Sequence, residues 1–199
     1  KGAAGSETAR STVIAFYGSL RAGKADADAK MTLQRTFKGK FTDDPQALAA
    51  TDPNYTRIAA LILSNISVAD VVIGTLGSAD HRRLSDTHFF GEQGEERVNY
   101  TVNFKGQGAN DGADVRSKTV SKYTNDDGVT LLSASDAAVT PESALSRQIT
   151  TKGLTDQKLS ENFFDTHNGA SDEKLNYTLN YKGAAGSETA RSTVIAFYG

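Results

Sequence analysis

Residues 1–18, KGAAGSETARSTVIAFYG, recur letter for letter as residues 182–199. No other feature constrains the fold as strongly. One set of local preferences is specified twice, so both ends of the chain compete for any slot that fits either. The chain reads as one full period of 181 residues followed by the opening of the next. Such a pattern arises when a tandem array is divided one element into its next repeat. It also arises when a segment is copied to the opposite end of a chain. The sequence opens at Lys1 rather than Met and lacks the charged-then-apolar layout of a signal peptide, which predicts a processed product or a fragment.

A second, diverged repeat lies inside the period. Arg97-Val98-Asn99-Tyr100-Thr101-Val102-Asn103-Phe104-Lys105-Gly106 matches Lys174-Leu175-Asn176-Tyr177-Thr178-Leu179-Asn180-Tyr181-Lys182-Gly183 with conservative differences only. Upstream, Leu84-Ser85 and Phe89-Phe90 parallel Leu159-Ser160 and Phe163-Phe164. Downstream, Val115-Arg116-Ser117 parallels Ala190-Arg191-Ser192. The expected organisation is a first half-repeat with an insertion over 1–104, a second over 105–181, and the copied segment 182–199.

The patterning is that of strands. Leu175, Tyr177, Leu179 and Tyr181 alternate with Asn176, Thr178 and Asn180, as in a half-buried strand. A Gly-rich polar stretch, Lys182–Arg191, then leads to the β-branched and aromatic run Thr193–Tyr198, which predicts a hairpin with a long tip. Lys30–Phe41, Val129–Ala134 and Ala144–Thr151 are further strand candidates between Gly, Asp, Asn or Pro turn signals. Between Tyr55 and Leu76 the apolar residues follow helical spacing after Asp52-Pro53, although Gly74 and Gly77 suit two short strands instead; Gln46–Ala50 suits a short helical turn. The fold class expected is mainly β: an antiparallel sheet or sandwich of two related half-repeats with long hairpins, and one helix near 55–76.

Composition narrows the functional classes. The 22 Lys and Arg nearly balance 24 Asp and Glu, which argues against general polyanion binding. Without cysteine there is no disulfide, thiolate metal site or thiol catalysis. The most apolar stretch, 58–76, is broken by Ser64, Asn65, Ser67 and Asp70, so no membrane insertion is expected. His88 and His167 each lie near an aspartate, but at different spacings, and no nucleophile motif accompanies them. Clusters at Asp26 and Asp28, at Asn110, Asp111 and Asp114, at Asn125–Asp127, and at Asn168, Asp172 and Glu173 have turn chemistry rather than calcium-loop spacing. No catalytic residue, metal site or cofactor is expected, and the chain is read as a non-enzyme.

The reading that follows is a structural, self-assembling protein, a filament, shell or surface subunit whose partners are copies of itself, acting by strand pairing or exchange. Its assembly strands are assigned to Thr12, Val13, Ile14, Phe16, Tyr17, Leu175, Tyr177, Leu179, Tyr181, Thr193, Val194, Ile195, Phe197 and Tyr198. The hairpin with its Gly/Ala/Ser tip resembles the closing strands of fimbrial subunits, which implies an extracellular or cell-surface location. The alternative is an RNA-binding virus coat protein in a virion. Read circularly, Val129–Gly199 continued by Ser19–Gly77 is similar in layout to single-stranded RNA phage coat proteins: strands, a long hairpin, then an apolar helix. That resemblance implies RNA contacts at a locally basic stretch, for which Arg116, Lys118 and Lys122 are the candidates.

Overall fold

The computed structural model describes residues 10–18, 20–21, 25–38, 83–105, 115–124 and 129–198. The expected helix near 55–76, the turn at Gln46–Ala50 and the clusters at Asn110–Asp114 and Asn125–Asp127 lie outside them. The described residues contain eleven strands and no helix: β1 (Ser11–Tyr17), β2 (Leu20–Arg21), β3 (Met31–Lys38), β4 (Arg83–Phe90), β5 (Arg97–Phe104), β6 (Val115–Thr124), β7 (Leu132–Ser133), β8 (Ala144–Lys152), β9 (Lys158–Asp165), β10 (Lys174–Lys182) and β11 (Thr189–Ile195). They hydrogen-bond in the order β11-β10-β9-β8-β6-β5-β4-β3-β1-β2, with β7 on β6, and form an antiparallel sheet. Of the sheet or sandwich expected, the described residues form a single antiparallel sheet.

Several boundaries differ from the sequence expectation for local reasons. The strand predicted over Val129–Ala134 shortens to Leu132–Ser133, because Ala134–Ala138 form turns in which Asp136 accepts the backbone N–H of Ala138 at 3.0 Å. The last strand begins at Thr189 and ends at Ile195, so the expected long tip is a six-residue connection, 183–188. The same connection, G-x-x-G-x-E, joins β4 to β5 over 91–96. Gly91 and Gly183 have φ of 132° and 117°, and a Cβ on either would meet the carbonyl oxygen four residues on, at 2.7 and 3.0 Å. Only glycine fits such a turn.

The chain divides into two compact units, Lys1–Asp86 with Phe104–Asp114 and Thr87–Asn103 with Val115–Gly199. In the first, β1 pairs antiparallel with β3, Ile14 facing Arg35 and Phe16 facing Leu33. The alternating pleat puts these four side chains on one face, where Ile14, Phe16 and Leu33 are buried. Arg35 is buried beside them and forms a bidentate pair with Asp86, Nε to Oδ1 at 2.9 Å and Nη2 to Oδ2 at 2.8 Å. In the second unit the buried apolar residues are Val115, Tyr123, Ala134 and Ala144. Tyr123 donates its hydroxyl to the Val98 carbonyl at 2.8 Å under the Arg97 guanidinium, 5.2 Å from the ring centre. That guanidinium also donates to the Pro141 and Ser143 carbonyls, which ties the 134–143 loop to β5.

Candidate assembly edges

The two copies of STVIAFY occupy unlike surroundings. In the N-terminal copy, Ile14 and Phe16 are 7% and 2% exposed; their counterparts Ile195 and Phe197 are 58% and 89% exposed. Val13 and Val194, on the opposite face of their strands, are exposed in both. Identical side chains thus differ in burial with their surroundings. β1 lies along β3, whereas β11 lies along β10, with Val194 opposite Thr178 and Ile195 opposite Tyr177. Ala196 extends this ladder by donating to the Asn176 carbonyl at 3.0 Å, and the Tyr198 hydroxyl donates to the Leu175 carbonyl at 2.8 Å. Phe197, between them, lies open to solvent. Every residue of β11 is exposed, and among the described residues β10 is its one strand neighbour.

Of the other residues assigned to assembly, Thr12 pairs with Phe37 along the backbone, and Tyr17 is half-buried opposite Met31. Leu175, Tyr177, Leu179 and Tyr181 are half-buried in β10, with Thr193 opposite Leu179. The structure therefore gathers the C-terminal group along β10 and β11 and the N-terminal group along β1.

One set of cross-strand contacts occurs twice in the second unit. His88 stacks on Tyr100 at 4.3 Å between centroids, and Phe163 on Tyr177 at 4.4 Å. On the opposite face the Thr87 and Thr101 hydroxyls meet at 3.1 Å, and Thr178 donates to Asn162 at 2.8 Å. One strand further, Asn103 donates to Ser117 at 3.3 Å and Asn180 to Ser192 at 3.2 Å. The strands β4-β5-β6 and β9-β10-β11 thus place related residues in matching pairs, with His88, and not Phe89 as the sequence alignment has it, at the position of Phe163.

The correspondence extends to the next strand over. β1 on β3 sets Ser11 opposite Lys38, Ala15 opposite Gln34 and Phe16 opposite Leu33, then shifts register so that Tyr17 meets Met31. β6 on β8 sets Ser117 opposite Lys152, Ser121 opposite Gln148 and Lys122 opposite Arg147, then shifts so that Tyr123 meets Leu145. The irregularity falls at the same step in both. Sequence reasoning missed this relation, although Gln34, Thr36 and Lys38 recur with the same spacing as Gln148, Thr150 and Lys152. Strand β6 accordingly holds both relationships at once, to β5 as β11 lies on β10 and to β8 as β1 lies on β3.

Buried and edge carboxylates in this unit have partners. Glu161, buried opposite Ile149, accepts the Tyr181 hydroxyl at 2.5 Å and the Lys158 ammonium at 3.2 Å. Burial first, and then this bond to Glu161, push the Tyr181 phenol up to about 12. Burial, reinforced by Glu173 and opposed by Arg97, lifts Tyr123 to about 12 as well. Half-buried Glu188, at the end of the β10–β11 turn, is held below the usual carboxylate range chiefly by the backbone N–H of Lys158, 2.9 Å away. His167 Nδ1 lies 3.3 Å from Asp165 on an exposed turn. That exposed carboxyl is lowered first by the His167 backbone N–H.

Arg116, Lys118 and Lys122 fall on one face of β6 by the alternation of the strand. Arg116 is exposed, the Lys118 ammonium sits 4.5 Å from the Tyr100 ring centre, and Lys122 donates to Ser133 at 2.9 Å. Among the described residues no group of three or more His, Asp or Glu is placed to hold a metal, and no helix is long and apolar enough to cross a membrane. No family model, curated protein or solved structure matches the chain.

Proposed function

We propose that this chain is a structural β protein that associates with copies of itself through strand pairing, and that its sheet consists of two related half-repeats. The reading is carried by one observation: the same seven residues lie along β3 at one end, with Ile14 and Phe16 buried, and stand bare at the edge of the sheet at the other. An exposed strand edge with uncovered apolar side chains recruits a matching strand. The repeated contacts of β4-β5-β6 in β9-β10-β11, and of β1-β3 in β6-β8, support the half-repeats. Strand pairing along such an edge suits a filament, shell or surface subunit. The test is particle mass and shape, by light scattering and electron microscopy across a concentration series. Growth in mass with concentration, with regular particles, is the expected result; a monomer at every concentration contradicts it.

A second reading, an RNA-binding coat protein, is favoured by the shared face of Arg116, Lys118 and Lys122 beside the Tyr100 ring, an arrangement suited to phosphates and stacked bases. Under it, purified particles protect RNA from nuclease, and neutralising all three cations removes the protection.

A further inference from the structure

We propose that the outer edge of β11 is the docking site for β3 of a second copy of this chain, in the register that β1 adopts on β3 within one chain. The inference rests on the self-association reading and adds its slot, partner strand and register.

β3 is matched to the side chains of STVIAFY, because Phe16 packs opposite Leu33 and Ile14 opposite Arg35, with all four buried. Ser192–Ile195 presents those same side chains along β11, Ala196 continues the ladder by its backbone N–H, and Phe197 follows it bare. What fits one copy fits the other. Edge compatibility is established by β6, which keeps β5 on one side and β8 on the other. Its β5 side repeats the Asn180–Ser192 contact of β10 and β11, and its β8 side repeats the β1–β3 register through the shift. A strand of this type can therefore hold both neighbours together. β11 has the first neighbour, and β1 has the second.

The docked register pairs Ser192 with Lys38, Val194 with Thr36, Ile195 with Arg35, Ala196 with Gln34 and Phe197 with Leu33 of the second copy. β1 of that copy leaves the slot, and an identical sequence replaces it. β3 keeps the same set of facing side chains throughout, so the exchange is near balance on that strand. Covering Ile195 and Phe197 is offset by uncovering Ile14 and Phe16 of the displaced segment, which also gives up its pairing with the two-residue β2, so protein concentration drives the exchange rather than a surplus of buried surface.

The chain has no cysteine, so a single one can be placed in each of two full-length samples. Chain carrying Thr36→Cys is mixed with chain carrying Val194→Cys, then oxidised or treated with a short bismaleimide, and masses are read under denaturing conditions. Directly opposed residues lie within disulfide reach, at about 4.5–5.5 Å between Cα atoms. The expected product is a 36–194 heterodimer well above the homodimers of either sample alone, with Thr32→Cys, four residues along β3, giving none when mixed with Val194→Cys. Lys38→Cys with Ser192→Cys repeats the measurement at a second pair in case the first perturbs β3. Oligomers seen by sedimentation without either heterodimer overturn this slot and leave self-association standing. Absence of oligomers overturns both.

Discussion

At the scale of single residues, the face of the sheet that carries the bulky side chains is held by polar pairs as much as by apolar contact. Arg35 is 3% exposed, and two of its hydrogen bonds end on Asp86. A buried pair of this kind contributes little net stability but is costly to break, because the remaining charge has no partner. Asp86→Ala is therefore expected to lower unfolding free energy by about 3–5 kcal/mol in urea melts; a loss below about 1 kcal/mol would mean that water reaches the guanidinium. Glu161, the third residue of the related segment Leu159-Ser160-Glu161, lies opposite Ile149, and its carboxylate turns to Tyr181 and Lys158 instead. Little of this was legible in the sequence. Leu84-Ser85 and Leu159-Ser160 mark the related strands, but Asp86 finds its arginine 51 residues away and Glu161 its tyrosine 20 residues away. Spacing along the chain carries no signal for such pairs.

At the scale of elements, alternation predicts β5, β10 and most of β3 and β8, because each presents one apolar and one polar face. β4 and β9 are legible as related segments but not as strands: their Ser, Asp, Glu and Asn residues break the alternation and are tolerated because neighbouring strands supply partners. The two ends of the chain show the same effect in its sharpest form. No sequence rule could separate the environments of Phe16 and Phe197, since their local sequences are identical; surroundings far along the chain set burial. The consequence is a paired measurement. Phe16→Ala removes a buried ring and is expected to cost about 3–5 kcal/mol, whereas Phe197→Ala in the monomer is expected to change stability by less than about 0.5 kcal/mol. Chemical denaturation at low protein concentration reads both, and equal losses would contradict the assigned placement of the two copies.

At the scale of the whole molecule, the duplication puts one strand type in two positions, β1 between β3 and the two-residue β2 and β11 with β10 as its one strand neighbour among the described residues. β1 lies on β3 and β11 on β10, whereas β6 shows that a single strand serves both kinds of neighbour. Under the proposed self-association the chain redistributes strands it already contains, and the C-terminal copy is the associating edge. Sedimentation of the full chain against one carrying Ile195→Lys and Phe197→Lys decides the matter, because both changes fall at exposed positions that leave the monomer fold intact. Concentration-dependent association is expected of the parent chain and a monomer of the substituted one. Equal association in both would contradict the assignment of that edge.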